Sequence, residues 1–394
     1  MSAALKAALE GPGPDRVQVY GELWSLKTGT KLAGVAVEGG SITQDRSAAI
    51  RRSCTVTLAS LDGLTPEEGV TGHNRSYGEG TYGSGTYGDY RRRYLRGLLL
   101  PLTTQLRLFQ RCLLPGTTTW ETIPLGRFTV TDPTFVDGDD GQTVRITGYD
   151  AAADIAAARW ERAFVVADGT SVADALQALL SNRLPGISLA TPSSGGDVTG
   201  QLIYAPGYGQ GGDPWQDAQA LAASAGWGLY IDRNGNAVAE KAASATTGTA
   251  DWELRDTGTA QRFEQTPSGA DLVNTVVVYA ESSGSKPVTA TVQDLNGPYG
   301  VNTIGRVVAI EYRSSSIKTL AQAQNAGIAQ LRKRNVLTET IQITCAPAPH
   351  AEVGDLAAAT SDVLELDDDL YQVNQLVFDL DWKTPTRVTV SRRM

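Results

Sequence analysis

The chain has 394 residues and carries 43 acidic against 34 basic side chains, a formal net charge of −9. Its length allows about two to four domains, and the acidic balance argues against a nucleic-acid binder, although an acidic wall suits a channel that DNA passes without sticking. No run of about 18 apolar residues occurs, so no helical membrane span is read, and 42 glycines and 17 prolines among many Thr and Val favour short strands and turns.

The N-terminal MSAALKAALEGPGPDR reads as a short helix and a Pro-Gly linker, without the charged-then-apolar layout of a secretory signal. Residues 16–150 then alternate with period two. Val17–Tyr20, Lys31–Glu38, Ile50–Leu58, Gln105–Leu114, Leu125–Val136 and Thr143–Thr147 are expected strands, with Cys54, Val56 and Leu58 on one face of the third. Gly and Asp punctuation between them predicts a small barrel or sandwich.

From Asp150 the period changes to helical. Ala151–Trp160 is Ala-rich, and Ser171–Leu180 opens on a Ser171/Asp174 capping box with a stripe of Val172, Ala175, Leu176, Leu179 and Leu180. A short strand is expected at Leu202–Tyr204. The stretch 213–240 is the most legible of all. Asp213 caps a helix, Pro214 takes its first position, and Trp215, Ala218, Leu221, Ala222 and Ala225 share a face opposite Gln216, Asp217 and Ser224. Gly226 stops that helix, and a hairpin turns at Asn234-Gly235. Strands return at Asp271–Ala280 and Arg306–Tyr312, a helix at about 318–334 ends on Arg332-Lys-Arg334, and Glu339–Cys345, Tyr371–Phe378 and Arg387–Val390 close the chain. The expected architecture is α+β and predominantly β: two tube-like β-barrel or sandwich domains, 1–150 and 246–394, flanking a smaller α+β domain at 151–245.

Ser76–Tyr90 holds three five-residue repeats built on Tyr-Gly, followed by Arg91-Arg92-Arg93. Such Gly-rich repeats build no core, so the segment is either a solvated insertion or a contact loop in which Tyr77, Tyr82, Tyr87, Tyr90, Arg91, Arg92 and Arg93 meet a partner.

Candidate chemistry is sparse. The two histidines, His73 and His350, fall in different domains, and no GxSxG, HExxH or P-loop pattern occurs. Cys54, Cys112 and Cys345 lack metal spacing, and buried free thiols are expected. Asp232-Arg-Asn234-Gly-Asn236 imitates half a calcium loop, but its glycine stands fourth rather than sixth, so a hairpin turn is expected. Asp367-Asp-Asp369 reads as a solvated turn before a strand. No pair of carboxylates is marked for hydrolysis; the reading is of a non-enzyme with no catalytic residue, metal or cofactor.

In this order the landmarks resemble phage tail hub proteins, the minor tail proteins related to the baseplate hub of contractile tails. Four stretches carry the likeness: Ser41–Leu58 with Asp45-Arg46 and Arg51-Arg52; Trp120–Asp150 with Gly148-Tyr-Asp150; the helix–hairpin at 213–240; and the C-terminal third with Asn274-Thr-Val-Val-Val, the helix near 318–334, Val353-Gly-Asp355 and Tyr371-Gln-Val-Asn374. The resemblance implies a homo-trimeric ring of pseudo-sixfold symmetry in the virion tail tip. Implied partners are the tail tube or distal tail protein, the tape measure protein and tip or fibre proteins, with DNA only in transit. No lysozyme or peptidase domain is expected after Met394. The alternatives are a hexameric distal tail ring protein or, from another class, a cell-wall hydrolase or carbohydrate-binding module.

Overall fold

The computed structural model describes all residues except 1, 11–13, 15, 59–97, 139–140, 195, 199–200, 207–211, 242–247, 257, 269–271, 281–288, 315–319, 335–337 and 394. Strands hold 49% of the chain and helices 17%, so the fold is α+β and predominantly β.

Six strands form the first unit: β1 (Arg16–Ser25), β2 (Lys31–Asp45), β3 (Arg52–Leu58), β4 (Thr104–Leu113), β5 (Trp120–Gly138) and β6 (Gly141–Tyr149). They run β1-β4-β5-β6-β3-β2, and β2 pairs back onto β1, which closes a barrel. Period-two patterning drives the closure. Leu23, Val35, Val56, Leu106, Leu108, Phe128 and Ile146 all turn inward and are buried. The expected faces are observed on β3, where Cys54, Val56 and Leu58 are buried and their neighbours half-buried. Helix α1 (Ala3–Glu10) packs Leu5 and Leu9 into the same core.

Strand β2 is longer than its alternation predicted because it serves two units. Residues 31–36 pair with β1, and 41–45 pair with β19 (Leu366–Asp379) of the C-terminal region. Between these halves lies a register shift at Val37/Gly39. Gly40 there has φ 130°, and a Cβ on it would stand 2.1 Å from the Thr55 carbonyl oxygen, so only glycine fits.

Beyond the β2–β19 seam the sheet continues through β20 (Thr386–Arg393), β17 (Thr338–Cys345) and β13 (Ala260–Ser268). On its other side β19 carries β18 (Leu356–Ser361), and β18 carries β12 (Trp252–Arg255). This second group also numbers six strands, and one hydrophobic core runs through both groups. Strands β12, β13 and β18 were not expected from the sequence. Ala357-Ala-Ala359 offers no bulky alternation, and Gln261, Arg262 and Glu264 on β13 are exposed at the sheet edge.

The middle region packs α2 (Ala151–Ala157), α3 (Val172–Arg183) and α4 (Pro214–Ser224) against β10 (Trp227–Ile231) and β11 (Ala237–Lys241), which pair with β8 (Leu189–Ala190). A ribbon of β7 (Phe164–Val166) and β9 (Leu202–Tyr204) joins the same core. The caps are as the sequence dictates. Asp150 accepts from the Ala152 amide, Ser171 from the Asp174 amide, and Asp213 from the Trp215 and Gln216 amides. Asp217 departs from expectation: it lies on the buried side of α4, where it accepts the Trp160 indole N–H at 2.7 Å.

The remaining elements form a third core. Strands β15 (Thr289–Gln293), β14 (Thr275–Ala280) and β16 (Ala309–Ser314) make a separate sheet, with a short α5 (Val301–Ile304) before β16 and α6 (Leu320–Arg334) packed on β14 and β15. Of these, β14 and β16 fall at expected strands and β15 was not expected; alternation does not say which sheet a strand joins. The side chains of Arg332, Lys333 and Arg334 lie outside the described residues.

Candidate functional site at a charged junction

Four segments that the sequence keeps far apart meet at one point. The first is the turn between β2 and β3, ending in Arg51-Arg52. The second is Asp150 at the start of α2, the third the turn of the β10–β11 hairpin, and the fourth the 346–355 loop.

Arg52 is buried on β3, and its guanidinium donates to the Glu352 carboxylate at 2.5 Å. Arg233, in the hairpin turn, donates to the other oxygen of Glu352 and to the His350 carbonyl at 2.7 Å. Asp232 shapes that turn by accepting the Asn234 and Asn236 amides, which is the hairpin expected there. Arg51 stacks over the Tyr230 ring at 3.8 Å. Asp150 accepts the Arg52 amide at 2.9 Å and returns its own N–H to the Arg52 carbonyl. Trp215 donates its indole N–H to the Ala49 carbonyl at 2.7 Å, which ties α4 to the β2–β3 turn. On the far side the Arg46 amide donates to the Asn374 carbonyl, and the Val353 amide to Gln44. Gly354 has φ 103°, and a Cβ there would stand 3.1 Å from the Arg51 guanidinium.

Burial governs the electrostatics. It lowers the pKa of Arg51 and Arg52, most strongly opposed at Arg52 by Glu352. Burial alone would raise Glu352, but Arg52, Arg233 and Arg51 outweigh it and hold the carboxyl below the usual range. Asp150 and Asp355, where burial dominates, are each pushed up to about 6. His350 packs edge-on against Trp252, and burial followed by the positive charge of Arg233 and Lys6 lowers it to about 4. Neither of its ring nitrogens meets a hydrogen-bond partner among the described residues.

Such a site holds elements together. The adjoining cavity, between Arg52, Arg233, Leu125 and Pro349, measures about 10 Å³, room for about one water and far below a ligand pocket. Among the described residues no group of three or more His, Cys, Asp or Glu could hold a metal, and no helix is long and apolar enough to cross a membrane. The three cysteines are free and buried, as expected. Asp367-Asp-Asp369 lies inside β19 rather than in a turn before it, with Asp369 opposite Ala359 of β18 and a register shift beside it. Tyr77, Tyr82, Tyr87, Tyr90, Arg91, Arg92, Arg93 and His73 lie outside the described residues.

The junction gathers Asp45-Arg46, Arg51-Arg52, Asp150, the 232–236 turn, Val353-Gly-Asp355 and Asn374, the same short motifs on which the tail-protein resemblance rests. Glu352 was not marked by sequence reasoning; its one signal is a lone carboxylate beside an Ala-Pro-rich loop, opposite arginines that only the fold brings near.

The architecture defines a class: a predominantly β protein of two joined six-stranded units, with an α+β unit docked at their seam by buried charge. More particularly, it has the fold of phage tail proteins. A tail protein from Neisseria meningitidis MC58 aligns over 96% of this chain and 97% of its own, with a TM-score of 0.62 at 13% identity. The 43 kDa tail protein of prophage MuSo2 from Shewanella oneidensis aligns over 95% and 98%, with a TM-score of 0.57 at 15% identity. The prophage tail protein gp18 from Listeria monocytogenes EGD-e aligns over 94% of both chains, with a TM-score of 0.50 at 12% identity. No protein-family model and no curated protein matches the sequence.

Proposed function

We propose that the chain is a structural tail hub protein of a phage or tail-like particle, without enzymatic activity, whose copies form a trimeric ring at the tail tip. The ring joins the tail tube to the tip and frames the channel through which DNA leaves. In this reading residues 1–150 and 246–394 are the two tube-like domains and 151–245 the smaller one.

The observation that carries the reading is the doubled β architecture. One chain holds two six-stranded groups joined at β2–β19, so three chains bring six such groups to one ring. That arrangement is what a sixfold tube above and a threefold tip below require. The acidic charge of −9 fits a lumen that does not hold DNA back. Neighbours in the particle would be the tail tube or distal tail protein, the tape measure protein and tip or fibre proteins, with Tyr77–Arg93 as a contact loop.

Light scattering coupled to size exclusion, followed by negative-stain imaging, tests the reading. A ring with three times the 41.7 kDa of the chain is expected. A sixfold mass would favour a distal tail ring. A monomer at every concentration, alone and with its tail neighbours, would overturn the proposal. Deleting residues 76–90 should impair particle assembly or infectivity if the loop is a contact.

A further inference from the structure

The outer face of the barrel on β1, β4 and β5 is built unlike an ordinary solvated sheet. Its alternate positions carry Tyr20 and Trp24 on β1, Arg107, Phe109 and Arg111 on β4, and Trp120 on β5. The Arg107 guanidinium lies 3.6 Å from the centre of the Trp24 ring, and Arg111 lies 5.0 Å from Trp120 and 5.9 Å from Tyr20. Tyr20 and Phe109 stack at 5.3 Å. Both guanidiniums are held by amide oxygens, Arg107 by Gln105 and Arg111 by Gln18, and neither reaches a carboxylate in an ion pair among the described residues. Glu22 lies across from Arg107 and partly offsets its charge, but Lys31 pairs with that same carboxylate, so the face stays net positive. Preordered aromatic and arginine side chains of this kind make interface anchors at low entropic cost.

The opposite chemistry stands at the turn between β18 and β19. Val363 projects there with 88% of its surface exposed. Around it Asp256, Asp362, Glu365, Asp367 and Asp368 are all exposed, and Arg255 is the neighbouring cation, already paired with Glu253 and Asp368. Two copies of a chain with net charge −9 repel unless such opposite patches meet.

We propose that the aromatic–arginine face of β1, β4 and β5 on one copy receives the acidic β18–β19 tip of a second copy. This rests on the ring reading above and gives it a contact. Val363 seats among the rings, and the carboxylates around it meet Arg107 and Arg111. Face and tip differ, so the contact is head-to-tail, the kind that closes into a ring when its rotation allows.

The test uses the full chain with two variants, both at outward-facing positions: a face variant, Arg107→Glu with Arg111→Glu, and a tip variant, Asp362→Arg with Asp367→Arg. Circular dichroism melts should match the parent, as a check on folding. Each variant alone should run as a monomer by light scattering. Mixed in equal amounts they should associate again, because the acidic tip of the face variant meets an intact basic face and the basic tip of the tip variant meets a face now acidic. A chain carrying both variants should regain the parent mass, since its charges are exchanged. If either variant alone keeps the parent ring, the face–tip contact is wrong and the hub reading stands. If both are monomers but neither mixing nor exchange restores association, the contact is likewise wrong. A parent chain that never associates would overturn the hub reading and this contact together.

Discussion

Arg52 and Glu352 stand 300 positions apart in sequence and meet at 2.5 Å, one buried in the barrel and the other on the loop entering the C-terminal sheet. Arg233 grips the same carboxylate from the middle region. One glutamate thus neutralises cations from two regions while itself belonging to a third, and its loss is felt by all three.

Glu352→Gln leaves the buried Arg52 and the half-buried Arg233 without their counter-charge. Breaking a buried pair from one side costs about 3–5 kcal/mol, and urea denaturation should show a loss of that order. Replacing Arg52, Arg233 and Glu352 together by methionine should cost less than the single change, since no charge is then left buried. A single variant as stable as the parent would show that the junction adds nothing.

His350 gives the protein an acid-sensitive point. Its folded pKa of about 4 lies below the ordinary histidine value of 6.5, so the folded state binds fewer protons than the unfolded chain between those values. The stability it contributes is fully present above pH 6.5 and is lost as pH falls towards 4. Asp150 and Asp355, raised to about 6, act in the opposite sense: their contribution is greatest below the ordinary carboxylate range and is lost as pH rises through 6. His350→Gln removes only the first effect. Between pH 7 and pH 4 the parent should therefore lose about 3 kcal/mol relative to that variant, measured by denaturation at each pH. A difference that does not change with pH would refute the assignment.

Gly39 and Gly40 are adjacent in β2 and should behave oppositely. A Cβ at Gly39 meets nothing within 4 Å, whereas one at Gly40 strikes the Thr55 carbonyl at a positive φ. Gly40→Ala should cost more than about 2 kcal/mol, and Gly39→Ala less than about 1 kcal/mol. Thermal unfolding of the pair reads this directly.

Trp215→Phe keeps most of the buried ring and removes the indole bond to the Ala49 carbonyl. Leaving that carbonyl unsatisfied should cost about 1–3 kcal/mol. Hydrogen exchange should quicken in the 46–51 turn more than in β10 and β11, because the lost bond joins two regions rather than stabilising either from within.

Local chemistry fixed much of this fold in advance. The caps at Asp150, Ser171 and Asp213, the hairpin turn at Asp232–Asn236 and the buried faces of β3 and α3 each depend on residues within a few positions of one another, so propensity and period suffice to read them. Asp217 shows where that stops. It sits where helical spacing calls for a solvated polar side chain, and it is buried because the Trp160 indole, 57 positions away, needs an acceptor. Polarity alone cannot announce a partner that arrives from another element.

What the sequence by itself determined was the alternation of a predominantly β chain, the helix–hairpin unit and the absence of any recognisable catalytic pattern. Only the tertiary structure decided that β2 bends at Gly40 to join two six-stranded groups, that β14–β16 leave them for a sheet of their own, and that Arg52, Arg233 and Glu352 converge. The physical reason is one of range. Backbone geometry and side-chain period act over a few residues, whereas strand partners and buried charges are chosen by which distant surfaces can exclude water together.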